Sequence, residues 1–282
     1  MQLIHSVSEL RAVISEHRAN GARIGFVPTM GALHEGHLSL VQLAQQKCDF
    51  VVVSVFVNQL QFGANEDFDK YPRTLGIDAN LLADHDVDVL FAPSPSEVYP
   101  TSSPVAQLRA GSLGEKFEGE IRPGHFDGML TVVNRLFDIV QPDYVFFGQK
   151  DAQQVALVKQ MLREQVSSGS RPPIEFVVGP TIRSEAGLAL SSRNKFLKPE
   201  DMPAALSLSK ALFAGAKGNS REEVLALARA EISPQAKLEY LELVDADSFE
   251  PCEPGLSPAV LIVAARVGEV RLIDNVSIDR KS

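Results

Sequence analysis

Two histidines stand three positions apart where an apolar run gives way to glycines, in FVPTMGALHEGHLSL, Phe26 to Leu40. If a helix opens at Gly36 or His37, the side chains of His34 and His37 lie about one turn apart and face the same way. Backbone N–H groups at a helix start favour an anion. Two imidazoles placed there can donate to phosphate oxygens and stabilise charge as it builds in phosphoryl or nucleotidyl transfer. The glycines let the backbone approach a ligand closely. A metalloprotease zinc site needs HExxH, and HEGH has the wrong spacing. For an isolated pair the plainer reading is the stronger one: His34 caps a turn and His37 packs. Position after an apolar strand and the company of other motifs shift that balance.

Three further segments follow apolar runs, and each has a plain alternative. FVNQLQFG (56–63) offers Asn58 and Gln61, neutral hydrogen-bonding groups suited to a hydroxyl or carboxylate, or merely a polar turn. FFGQKDAQQ (146–154) puts Lys150 at a helix start, where its charge can neutralise phosphate. Asp151 is well placed there against the helix dipole, and Gln153 and Gln154 fall in the first turn. The plain alternative is a solvated lysine beside a cap. TIRSEAGLALSSRNKFL (181–197) holds Ser191, Ser192 and the guanidinium fork of Arg193, a compact donor set or a linking turn. GxxxxGK[ST] is absent, GxGxxG does not follow the first strand, and GxSxG is absent. A bound nucleotide would therefore be held by a different loop chemistry, and a Ser-His-Asp hydrolase lacks its nucleophile elbow.

The elements that must carry these segments alternate along the first two-thirds. Strands are expected at 23–27, 49–57, 87–93, 143–148 and 174–179. Helices are expected from a segment ending near Asn20–Gly21, from about Gly36 to Gln46, and at 74–85, 128–140 and 151–165. The nearly all-apolar DFVVVSVFV suits a parallel strand covered on both faces. Such alternation predicts an α/β doubly wound parallel sheet, in which ligands bind beyond the carboxyl ends of the strands. The order then changes to two helices (201–217, 221–232) and three strands (237–246, 259–267, 270–278), a smaller α+β C-terminal domain. The boundary is expected near Arg183–Ser184, giving domains 1–183 and 184–282. With 27 basic and 36 acidic residues the 282-residue chain carries a formal charge of -9, so neither nucleic acid nor a membrane surface is an expected partner. Cys48 and Cys252 form no CxxC pair. The amphipathic, charged N-terminus does not read as a signal peptide, and a cytoplasmic location is expected.

Taken together, PTMGALHEGH, SVFVNQLQFG, YPRTL, RPGHFDGMLTVVNRLFDIVQPD, FFGQKDAQQ and LALSSRN resemble the pantoate–β-alanine ligase family in order, spacing and wording, from about Phe26 to Phe196. The resemblance implies a Rossmann-like nucleotidyltransferase domain with a smaller C-terminal lid, and a homodimer. It implies ATP-dependent joining of (R)-pantoate and β-alanine through pantoyl adenylate, with Mg²⁺. Carried over by position, Met30, Gly31, Ala32, Leu33, His34, Glu35, Gly36 and His37 form an ATP signature, with His37 the proton donor. Gly148, Gln149, Lys150, Asp151, Ile182, Leu190, Ser191, Ser192 and Arg193 complete the ATP contacts. Gln61, Gln154 and, as a neighbour, Asn58 bind pantoate, and Gln61 also binds β-alanine. His34, His37, Lys150 and Arg193 carry the chemistry; protein ligands of the metal remain unassigned. The segment 61–78 is expected to gate the site. The alternative is a related HxxH nucleotidyltransferase that activates a different small carboxylic acid; a phosphate substrate would want Arg or Lys where Gln61 and Gln154 stand.

Overall fold

The computed structural model describes residues 1–63, 68–69, 71–102, 105–255 and 257–278. In chain order the elements are β1 (Gln2–Ile4), α1 (Val7–Ala19), β2 (Ile24–Thr29), α2 (Glu35–Lys47), β3 (Phe50–Val55), α3 (Leu75–Ala83), β4 (Val89–Phe91), α4 (Pro95–Val98), α5 (Glu118–Ile121), α6 (His125–Val140), β5 (Tyr144–Gly148), α7 (Ala152–Ser167) and β6 (Glu175–Gly179). They are followed by α8 (Met202–Gly215), α9 (Arg221–Glu231), β7 (Ala236–Asp245), β8 (Ala259–Val267) and β9 (Val270–Ile278). Two compact units form: Met1–Phe147 with Leu157–Gly179, and Gly148–Ala156 with Pro180–Ser282. The expected change of pattern at Arg183–Ser184 lies just inside the second unit, which also takes the short stretch after β5.

The first unit holds a six-stranded sheet in the order β1-β4-β3-β2-β5-β6. The pairs β1–β4, β3–β4, β2–β3 and β2–β5 are parallel. Helices lie on both faces, as the unbroken apolar strands require. Val27, Val51, Val53 and Leu90 pack with Leu38, Val41, Ala44 and Leu82 from α2 and α3. On the other face Phe26 meets Phe137 of α6 edge-on, at 6.4 Å between ring centres. Each such side chain, fully buried, contributes about 1.5–3 kcal/mol. The expected parallel α/β sheet is therefore found. The short edge strand β1 carries no readable period and is not among the expected strands.

Strand order reverses between β2 and β5, the place where ligands bind in open α/β sheets. β2 pairs β3 along all six positions from Ile24 to Thr29 but pairs β5 only at Gly25 and Phe26. Pro28 has no N–H to give, and it lies on β2 beyond the last β5 pairing. The carboxyl end of β2 is thus freed from β5 as it runs into Met30–His34.

In the second unit β7, β8 and β9 form an antiparallel sheet in sequence order. Leu208, Ala211 and Leu212 of α8 and Val224 and Ala228 of α9 pack against Leu241, Leu243, Leu261, Val263 and Leu272. Ser220 caps α9 by accepting from the Glu223 N–H at 3.2 Å. This is the expected α+β arrangement. Among the described residues no helix is long and apolar enough to cross a membrane.

Candidate active site

The histidine segment is a helix cap built from imidazoles. His34 has extended backbone (φ -148°, ψ 175°) and is the N-cap of α2. Its Nδ1 accepts from the Gly36 N–H at 3.1 Å, and Nδ1 of His37 accepts from the His34 N–H at 3.3 Å. This is a capping box in which histidines replace the usual hydroxyl and carboxylate. In each of these bonds Nδ1 is the acceptor, and the tautomer that makes them is the one with its proton on Nε2. An imidazolium has no acceptor and could not make either bond. The ring centres are 4.2 Å apart, tilted by 50°. The helix does start one residue from where the spacing put it, and His34 caps it.

The loop before the cap is held from α3. Gly31 (φ 83°) and Ala32 (φ 52°) are both left-handed, a conformation that costs a non-glycine residue about 1–2 kcal/mol. Asp78, 1% exposed, offsets that cost. Its carboxylate accepts from the Ala32 N–H at 3.1 Å, the Leu33 N–H at 2.9 Å and the Thr74 hydroxyl at 3.1 Å. Asp78 follows YPRTL at a distance of three residues, and nothing in the sequence marks it as the support of this loop.

Asn58 is fully buried, 0% exposed. Its Nδ2 donates to Gln61 Oε1 at 3.2 Å and to the Gly128 carbonyl at 3.0 Å. Its Oδ1 accepts from the Leu60 N–H at 3.4 Å and the Tyr99 hydroxyl at 2.9 Å. Burial pushes the Tyr99 hydroxyl well above its usual range, so it remains a donor. Asn58 therefore sets the single 3₁₀ turn Gln59–Gln61 and, with it, the carboxamide of Gln61. Gln61 also donates from Nε2 to Met30 Sδ at 3.0 Å, and the His125 ring donates to its carbonyl at 2.8 Å. A Cβ at Gly128 would sit 2.1 Å from the Leu60 carbonyl oxygen, so the close approach of α6 to this turn needs glycine. In the expected gate, 64–67 and 70 lie outside the described residues.

The remaining candidates belong to the second unit. Gln149–Asp151 is a 3₁₀ turn leading into α7. Lys150 Nζ lies 3.8 Å from Asp151 Oδ1. Gln153 and Gln154 fall in the first turn of α7, with Gln153 buried and Gln154 half-buried. An antiparallel bridge between Arg183 and Ala189 brings Ile182 and Leu190 together, the Leu190 N–H donating to the Ile182 carbonyl at 2.9 Å. Ser191 Oγ accepts from the Arg193 N–H at 3.2 Å, and Asn194 Nδ2 reaches the Ala189 carbonyl at 2.9 Å. The turn Leu190–Arg193 is thereby closed, with Ser191, Ser192 and Arg193 all half-buried. Met30, Gly31, Ala32, Leu33, His34, Glu35, Gly36, His37, Asn58 and Gln61 thus share the first unit. Gly148, Gln149, Lys150, Asp151, Gln154, Ile182, Leu190, Ser191, Ser192 and Arg193 share the second.

A parallel sheet whose order reverses beside a histidine-capped helix is the frame of a nucleotidyltransferase-like enzyme. Comparison with known proteins narrows the class. A sequence-family model described as pantoate-beta-alanine ligase matches residues 2–277. A pantothenate synthetase of Nocardioides sp. is 48% identical over 285 residues, covering 97% of this chain and 84% of that protein. One from Pelotomaculum thermopropionicum is 44% identical over 282 residues, covering 98% of each. The crystal structure of pantothenate synthetase from Thermus thermophilus matches with a TM-score of 0.90 and 44% identity over 99% of both chains. That of the Francisella tularensis pantoate-beta-alanine ligase, complexed with beta-gamma ATP and beta-alanine, matches with a TM-score of 0.79 and 36% identity over 98% of this chain and 97% of that one. The chain belongs to the pantoate–β-alanine ligase family.

Proposed function

We propose that this chain makes pantothenate from (R)-pantoate and β-alanine with ATP, through pantoyl adenylate. In the first step a pantoate carboxylate oxygen attacks the α-phosphorus of ATP, and the bond to pyrophosphate breaks. In the second, the β-alanine amine attacks the acyl carbon, AMP leaves with its oxygen, and the nitrogen gives up a proton. No protein nucleophile is needed, so catalysis rests on positioning and charge stabilisation.

The observation that carries this reading is the imidazole capping box. Its bonds occupy Nδ1 of His34 and of His37 at the start of α2, and we assign the Nε2 side of each ring to phosphate oxygens on which charge develops. Lys150 and Arg193 supply positive charge. Gln61 and Gln154 present neutral carboxamides to the hydroxyls of pantoate, and Gln61 also serves β-alanine. Asn58 acts through Gln61, since its own carboxamide is spent on Gln61, Gly128, Leu60 and Tyr99. Met30–His37, Gly148–Asp151, Ile182 and Leu190–Arg193 take the nucleotide. Mg²⁺ enters with ATP as part of the co-substrate. The segment 1–183 carries the pantoate contacts and most of the ATP contacts, and 184–282 adds Leu190–Arg193 and serves as a lid. The protein works as a cytoplasmic homodimer.

The test is pantoate-dependent exchange of labelled pyrophosphate into ATP with Mg²⁺ and without β-alanine. Exchange is expected with pantoate. Exchange only with another carboxylic acid would keep the scaffold and replace the substrate.

A further inference from the structure

The last strand carries a buried polar pair that none of the motif segments contains. Asp274 and Asn275 of β9 are 5% and 4% exposed. Asn275 Nδ2 donates to the carbonyls of Gln149 at 2.9 Å and Lys150 at 2.8 Å. Asn275 Oδ1 accepts from Gln149 Nε2 at 3.2 Å. The Asn275 carbonyl in turn accepts from Arg183 Nη2 at 3.2 Å. Asp274 takes the same guanidinium in a fork, at 2.5 and 2.9 Å, and also accepts from the Asn275 N–H at 2.7 Å. One dipeptide thus ties down two turns: the one bearing Lys150, and the hairpin that leads from Arg183 to Ser191–Arg193.

We propose that Asn275 is a positioning residue for Lys150, acting by clamping two consecutive carbonyls of its turn. The inference rests on the reading above that places the Lys150 ammonium at the phosphates. A lysine side chain has four flexible bonds, and where its head can reach depends on how firmly its root is held. The two carbonyls fix the orientation of the peptide planes that follow Gln149 and Lys150. Both amide protons of Asn275 are consumed in doing so, and its oxygen fixes Gln149. Asparagine suits this position because it donates twice to carbonyls and accepts once from an amide, which aspartate could not do.

A residue that only stabilised the fold would lower activity whatever stood at position 150. A positioning residue loses its catalytic effect when the group it positions is gone. The experiment is therefore a double-mutant cycle on the full chain, with kcat and KM for ATP measured in pyrophosphate exchange and Tm measured alongside. Asn275→Ala is expected to lower kcat about 10- to 100-fold with a small change in KM, as for a charge misplaced in the transition state. In the Lys150→Ala background the same change is expected to cost less than about threefold. Equal losses in both backgrounds would overturn the proposal and leave Asn275 a purely structural residue. If Lys150→Ala alone left exchange intact, the assignment of Lys150 would fall, and with it the catalytic meaning of the clamp. Should Asn275→Ala not fold, Asn275→Ser, which keeps one short donor, carries the same comparison with the same two criteria.

Discussion

The histidine arm of the first unit and the lysine turn of the second carry the charge-handling groups proposed here, and they are fixed by opposite means. His34 and His37 are held by bonds that span two or three residues. Lys150 is held through its backbone by Asn275, 125 positions away. The first arrangement is a local event of helix initiation, supported from outside by Asp78. The second exists only once distant strands have paired. Side chains that can cap their own helix arrive with the secondary structure, whereas a lysine on a short turn needs tertiary help.

Substitutions can sharpen or break that contrast. The largest effect is expected at the histidines. His37→Ala should lower kcat for pyrophosphate exchange by about 10²–10³-fold. Because asparagine is a good N-cap, His34→Asn should lose a comparable share of activity while leaving stability within about 0.5 kcal/mol in urea unfolding. Activity that survives His34→Asn would reduce that imidazole to a cap. Next comes Asp78→Ala, which takes the carboxylate acceptor from two half-buried N–H groups. It should destabilise by about 1–3 kcal/mol and lower kcat by releasing the Gly31–Ala32 loop. Full activity would mean that the arm is held by local sequence alone. Gly128→Ala is expected to reverse the usual rule. In an ordinary helix interior it would stabilise by about 0.5–1 kcal/mol; here, against the Leu60 carbonyl, we expect a loss of about 1–3 kcal/mol and a weaker KM for pantoate.

The smallest expected effect concerns acid and only the second unit. The Ser257 hydroxyl, then the Ser248 N–H, hold the Asp245 carboxyl below its ordinary 3.8, at about 2. The folded value is the lower one, so the stabilisation is complete above about pH 4 and lost as pH falls towards 2. Asp245→Asn should flatten the fall in stability between about pH 4 and pH 2, read from urea midpoints. An unchanged slope would show that other carboxylates dominate.

The same contrast explains which parts of the molecule are legible in the sequence. The apolar runs of β2, β3 and β5 and the spaced apolar positions of α1 and α2 announce themselves within short windows, so the parallel sheet and the site segments at its carboxyl ends can be read directly. The motif order carries the family. The supports are illegible. Asp78 draws no reading of its own because nothing in TLGID shows that the N–H groups of Ala32 and Leu33 point at it. Asn58 reads as a substrate contact because the Tyr99 hydroxyl and the Gly128 carbonyl that enclose it are 41 and 70 positions away. A signal for Asn275 does exist: an acid and an amide side by side in the otherwise apolar VRLIDNVSI are costly to bury unless each has a partner. The partner's identity still requires the fold.

The clamp on Lys150 also has a place in time. A ribosome completes every motif quoted above before it reaches β9. A nascent chain that stalls, or a message cut short, between Arg193 and Asn275 would emerge with its histidine cap and its lysine both present and without the Asn275 clamp on the lysine's turn. Competence to use ATP would then be a property acquired late in synthesis, after the last strand has joined its sheet.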